Sequence, residues 1–229
     1  MGRIEALLMS SVAAVLIAGC STPGEEVKPA TAQTELPHPE AIAGYSWKVG
    51  DTCVTEYKFG FKRVVHTAAV TDVSGGRTTL SDTADDGSSR VIVLEGASGD
   101  KLTKSVAAST GEQIEFQPPL QRLTFPLKPS MAWPGHSVVT GQTFKLTLDV
   151  KTDVTPWETV TVPAGQFAAL KIIGNETYSA GRNSKGESFT GTGTHTIWLT
   201  PDVRCIVQGQ YKNSFGAKTT YRLLSFKPG

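Results

Sequence analysis

Apolar and polar residues alternate with a period of two over most of this chain, and that limits the fold more than any single motif. Phe144, Leu146, Leu148 and Val150 alternate with Thr143, Lys145, Thr147 and Asp149. Cys53, Thr55, Tyr57, Phe59 and Phe61 share one parity, with Glu56 and Lys58 on the other. In an extended chain such residues line opposite faces, so each segment reads as a half-buried strand. The same reading predicts strands at Val64–Val73, Arg77–Thr83, Arg90–Glu95, Lys101–Val106, Glu112–Phe116, Glu158–Val162, Ala168–Tyr178, Glu187–Thr200, Val203–Tyr211 and Lys218–Phe226. Ser74-Gly75-Gly76, Asp85-Asp86-Gly87, Gly96–Gly99, Pro163-Ala164-Gly165 and Thr200-Pro201-Asp202 supply the turns between them. No window after the first 44 residues carries a helical period with caps. The expected fold is all-β: one antiparallel, strongly curved sheet, closing as a half-barrel, a barrel or a sandwich. A proline-rich stretch, Pro118 to Pro134, divides it near the middle, and residues 45–229 are expected to form one domain.

The first 44 residues have another character. Residues 1–19 combine Arg3, an apolar run from Ala6 to Ala18 and small residues before Cys20. The run is too short to span a bilayer as a helix. Leu16-Ile17-Ala18-Gly19-Cys20 resembles the lipobox of bacterial lipoprotein signals. The resemblance implies a diacylglyceryl group on the Cys20 thiol, cleavage between Gly19 and Cys20, and acylation of the new amine. Two or three acyl chains hold a protein at a membrane durably where one does not. Ser21 stands where an aspartate would mark inner-membrane retention, so an outer-membrane lipoprotein facing the periplasm is expected. Residues 20–44 carry Pro23, Pro29, Pro37 and Pro39 without strand or helix period, and read as a flexible tether.

Formal net charge is +1, and no polybasic field suggests nucleic acid as a partner. With Cys20 assigned to lipid, two thiols remain of the three cysteines, Cys53 and Cys205. Both lie on the parity of large apolar residues in an oxidising compartment. Either they form a disulfide closing almost the whole domain, worth up to ~5 kcal/mol by chain entropy, or they are two separate buried thiols. No histidine lies near either in sequence, and no metal or cofactor site is expected.

Phe125-Pro126-Leu127-Lys128-Pro129-Ser130-Met131-Ala132-Trp133 and Glu158–Phe167, continued by Ala168–Ile172, form two distinctive runs. With Trp198–Val203 and Tyr221–Ser225 they resemble the uncharacterised envelope proteins grouped as DUF3108 or TapB-like. That resemblance covers Trp133 to the C-terminus, and the first half through the Trp47–Thr52 opening. It implies an exported antiparallel β domain and carries no catalytic residues over.

The chain's own chemistry is sparse. His38, His66, His136 and His195 are scattered, without a zinc-type His-x-x-x-His spacing, and no Gly-x-Ser-x-Gly elbow exists. Gly191-Thr192-Gly193-Thr194 has no helix after it to bind phosphate. The catalytic set is therefore read as empty. Trp133, Trp198 and Tyr211 are the candidates for an aromatic-lined pocket, against their reading as plain core residues. Three functions remain: a non-enzymatic binder of a lipid, acyl or other amphipathic ligand, a scaffold or accessory subunit of an envelope assembly, and a hydrolase of envelope material using His136 or His195.

Overall fold

The computed structural model describes residues 36–108, 110–181 and 188–229. Cys20, the expected anchor residue, and most of the expected tether lie outside them. Twelve strands follow in chain order: β1 (Thr52–Phe59), β2 (Lys62–Ser74), β3 (Arg77–Ala84), β4 (Ser89–Glu95), β5 (Lys101–Ala107), β6 (Gln113–Gln121), β7 (Ala132–Thr140), β8 (Lys145–Val162), β9 (Gly165–Ala180), β10 (Phe189–Leu199), β11 (Gln208–Asn213) and β12 (Lys218–Lys227). Each pairs antiparallel with its neighbour in sequence, and β12 pairs with β1. Of the closures that alternation permits, the chain adopts the closed barrel, which leaves no sheet edge unpaired.

Three local expectations are corrected. The proline-rich stretch runs into strands at both ends: Pro118 and Pro119 lie in β6, and Pro134 lies in β7, whose Trp133, Gly135, Ser137 and Val139 are buried while Pro134 and His136 are exposed. The two strands expected at Phe144–Val150 and Glu158–Val162 are one, β8. A register shift between Val154 and Trp157 takes up Pro156 and lets the strand continue. The strand expected from Val203 begins only at Gln208, because the preceding residues cross the barrel end as an irregular segment.

The residues leading into β1 and the C-terminal Gly229 meet at that barrel end. Cys53 and Cys205 are disulfide-bonded, with Cα atoms 6.0 Å apart across 152 residues of sequence. Two residues before Cys53, the buried Asp51 accepts from Arg204 Nε and Nη2 at 2.6 and 2.7 Å, from Gly229 N–H at 2.9 Å and from Lys48 N–H at 2.8 Å. Burial pushes the Asp51 carboxyl up, but these donors outweigh it and hold it below the usual range. Ile42 and Leu127 exchange backbone hydrogen bonds at 2.8 and 2.9 Å. They bring Tyr45, Leu123 and Trp133 into one apolar cluster with Val154, Leu170, Ile197, Leu199 and Tyr221. This end is a closed plug. A second cluster, Val160, Val162, Ala169, Trp198, Val203, Cys205, Val207 and Leu223, lies where the β8–β9 hairpin touches β12, Ala164 N–H donating to Leu223 O at 3.3 Å.

Candidate functional site

Register converts the alternation into rows around the inner wall. One row runs Tyr57, Tyr221, Gly209, Ile197, Ile172 and Val154. The next runs Phe59, Thr219, Tyr211, His195, Gly174, Thr152 and Trp133. A third carries Gly193, Glu176, Val150 and Gly135. Glycine in these rows is a matter of space: a Cβ at Gly209 would enter the Tyr221 ring, and one at Gly191 the Tyr178 ring. The tyrosines therefore lie flat along the wall.

An eight-strand barrel is just wide enough for its side chains or one small ligand, and diameter grows with strand number. Twelve strands enclose more, and the plug uses that space at one end. Further along, the inward-facing His66, Ile92, Phe116, Glu176, His195 and Tyr211 are each only half-buried. Solvent reaches them.

Polar groups gather in this middle belt. Asp82, almost wholly buried, is bonded by His66 Nδ1 at 3.2 Å and by Arg90 Nε at 2.8 Å. Burial raises its carboxyl, but His66 and Arg90 outweigh burial and keep it low and ionised. The His66 ring meets Tyr57 edge-on at 4.7 Å, and Tyr57 stacks on Tyr221 at 5.1 Å. Tyr221 Oη is hydrogen-bonded to His195 Nε2. Burial, with the Arg122 charge adding to it, lowers His195 to about 4, so this imidazole is neutral at pH 7. Burial raises Glu176 to about 7. Arg122 follows β6, where its N–H donates to Asp100 O at 2.9 Å, and its guanidinium interacts electrostatically with Tyr57, Tyr221 and Arg90. Burial depresses its pKa, and the like charge of Arg90 adds to that.

The three aromatic candidates do not form one pocket. Trp133 faces inward in the plug cluster and Tyr211 faces inward in the belt. Trp198 lies on the opposite face of β10 from His195 and Ile197, donating through Nε1 to Glu158 at 2.9 Å with Lys171 Nζ 5.5 Å from its ring. The histidines named for hydrolysis do not meet either. His136, exposed, pairs with Asp149 at 2.7 Å on a β7–β8 register position of outward residues, whereas His195 is in the lumen. Sequence reading missed the His66–Asp82–Arg90 set and Arg122. Asp82 and Arg90 are directly opposed across the β3–β4 hairpin, so their pairing was available once Asp85-Asp86-Gly87 had been read as its turn. Arg122 left no signal, since it sits outside any alternating run.

A separate cleft of about 280 Å³ lies on the outer wall, lined by Glu56, Lys58, Trp198, Gln208 and Arg222 among others. Its carboxylate is already saturated. Glu56 is paired with Arg63 and with Arg222 Nε, the latter at 2.8 Å, and these outweigh burial to hold it low. Among the described residues no group of His, Cys, Asp and Glu is suited to hold a metal ion.

No family model and no curated protein matches this chain. Solved structures do. A candidate exported protein with a YmcC-like fold from Bacteroides fragilis aligns at TM-score 0.51 and 12% identity, over 82% of this chain and 99% of its own. A candidate lipoprotein from Parabacteroides distasonis gives TM-score 0.47 at 12% identity, over 83% and 100%. The hypothetical lipoprotein YmcC of Escherichia coli K12 gives 0.42 at 11%, over 78% and 85%. The barrel therefore has the YmcC-like fold, and the likeness extends to fold alone.

Proposed function

We propose that this chain is a lipid-anchored protein of the bacterial envelope whose barrel holds an apolar or amphipathic ligand without transforming it. The half-buried inner wall carries this reading: a closed twelve-strand sheet whose middle admits solvent, beside a plug sealed by covalent, ionic and backbone links. The Leu16–Cys20 lipobox supports the anchor, and the fold neighbour described as an exported protein supports placement in the envelope. Outer-membrane placement through Ser21 and the DUF3108/TapB-like kinship of the Phe125–Trp133 and Glu158–Ile172 runs belong to the same proposal. A binder needs a shaped apolar wall with a few placed polar groups, and the belt has that composition.

Mass spectrometry of organic extracts from the purified protein is the test. Stoichiometric lipid or acyl compound beyond the Cys20 modification is expected. A lipid-free protein that also takes up no fluorescent fatty acid would sink the binder. The scaffold reading has one specific observation behind it: Phe61 is fully exposed at the β1–β2 turn, and Phe215 is half-exposed at the β11–β12 turn on the same rim. In-cell crosslinking from these two positions separates them, since a scaffold yields a defined heterologous adduct and a binder yields none.

A further inference from the structure

Two neighbouring turns on the rim opposite the plug depart from ordinary strand pairing in the same way. β1 pairs with β12 through Phe59 and Thr219, so the β1–β2 and β11–β12 turns stand side by side. Phe61 tips the first and is fully exposed, and Phe215 tips the second and is 45% exposed. Beneath Phe61, Lys58 lies directly opposite Arg63. Beneath Phe215, Lys212 lies directly opposite Lys218. All four cations are exposed on the outer face, since Tyr57, Val64, Tyr211 and Thr219 beside them in sequence face inward. Like charges directly opposed across an antiparallel pair destabilise it, and an exposed ring contributes no burial to folding. A single exposed apolar residue needs no explanation. The same combination on two adjacent turns does.

The charge at this rim is locally in excess, which the chain's net +1 conceals. Residues 208–227, the β11–β12 hairpin, hold Lys212, Lys218, Arg222 and Lys227 and no carboxylate. Glu56 is shared by Lys58 at 3.7 Å, by Arg63 and by Arg222 at 2.8 Å. The β3–β4 turn brings acid, but Asp86 is engaged by Lys62 at 3.0 Å and Asp85 accepts from Val65 N–H at 2.9 Å. Phe215 is backed by Phe189 at 5.2 Å, and Phe189 by Tyr178 at 5.7 Å, so this tip stands on a ring stack rooted in the barrel. Protruding rings above surplus cations complement a surface that is anionic outside and hydrocarbon within. We propose that this rim docks on an anionic phospholipid surface, with Phe61 and Phe215 entering the acyl boundary and Lys58, Arg63, Lys212 and Lys218 meeting head-group phosphates. Long cationic side chains suit that place, because their stems lie along apolar material while the charge stays in the head-group layer. The anchor proposed at Cys20 makes the contact intramolecular, so a weak site suffices. Cys20 lies sixteen residues before Leu36, a reach of up to ~55 Å when extended, whereas the eight residues of β1 span about 27 Å. The rim can therefore return to the membrane that holds the anchor.

The test uses the chain from residue 20 with Cys20→Ser, which lacks acyl groups, sedimented with vesicles of phosphatidylcholine alone or mixed equally with phosphatidylglycerol. Binding to the mixed vesicles is expected to be at least about tenfold tighter than to phosphatidylcholine, and to fall as salt is added. Phe61→Ser with Phe215→Ser is expected to weaken it by about tenfold or more. Lys212→Gln with Lys218→Gln is expected to weaken it on the order of tenfold. Removing opposed like charges relieves repulsion, so the lysine variant should unfold at the same or a higher urea concentration, where a structural role would give a lower one. Equal binding of the unsubstituted chain to both vesicle types overturns the cationic contact, and this arm needs no variant to fold. Binding that survives both phenylalanine substitutions overturns the inserted tips. Absence of vesicle binding overturns the membrane assignment outright, and a protein adduct crosslinked to Phe61 in cells then gives the rim to a protein partner. None of these results bears on lipid extraction or fatty-acid uptake by the barrel, so this docking and the ligand reading fail separately.

Discussion

The plug and the belt occupy the same barrel a few residues apart and treat ionisable groups in opposite ways. In the plug, the buried Asp51 has four donors, Tyr45 Oη donates to Thr200 O at 2.9 Å, and the thiols are joined. In the belt, burial depresses the pKa of Arg122, Glu176 is held far from its ordinary pKa, and inner residues remain half-exposed. The first arrangement lowers the free energy of the fold. The second raises it, and groups kept against stability are where function is expected.

That contrast can be broken by stability measurements. The largest effect is expected from Cys53→Ser with Cys205→Ser. Loss of so long a loop closure lowers unfolding free energy by up to ~5 kcal/mol in urea melts. A loss below ~1 kcal/mol would mean that the plug holds without it. Next comes Asp51→Ala, expected to cost about 3 kcal/mol because Arg204 is left enclosed without its carboxylate. Asp51 is held below 3.8, so the native pair stabilises above that value and its contribution fades as pH falls through the lower, folded pKa. The wild-type advantage over Asp51→Ala should therefore shrink below pH ~4.

Belt substitutions are expected to act with the opposite sign. Glu176 is raised from 4.5 to about 7, so the folded state is penalised once the unfolded carboxyl ionises. The penalty grows between those two pH values and is constant above them. Glu176→Gln should accordingly stabilise by on the order of 1–3 kcal/mol at pH 8 and by nothing at pH 4. Smallest of all, Arg122→Leu is expected to leave stability unchanged or raise it by about 1 kcal/mol. A loss above about 2 kcal/mol in the same melts would make Arg122 a structural residue and erase the difference between the two regions.

Much of the barrel was legible from period alone. Tyr57, Phe59, Leu146 and Leu148 face inward as their parity requires, and Asp85-Asp86-Gly87 and Pro163-Ala164 turn where expected. The end of β6 and the start of β7 were hidden because Pro118 and Pro134 read as breaks, whereas a proline within a barrel loses only its own ladder donor. Trp198 illustrates the limit of parity. It shares the parity of Thr194 and Thr196, opposite His195 and Ile197, yet it is buried because the β8–β9 hairpin covers it.

Alternation and turn residues, which act within a few positions, determined by themselves that this chain forms short-range antiparallel pairs, and Cys20 with the residues before it determined the expected anchor. Closure, pairing and convergence were decided by the tertiary structure. β1 meets β12 across 166 residues in the Glu56–Arg222 pair, Cys53 meets Cys205 across 152, and Arg122 reaches Tyr57 and Tyr221 from outside any strand. No local periodicity encodes contacts so distant, because they depend on strand number and on where the sheet's curvature returns the chain to itself.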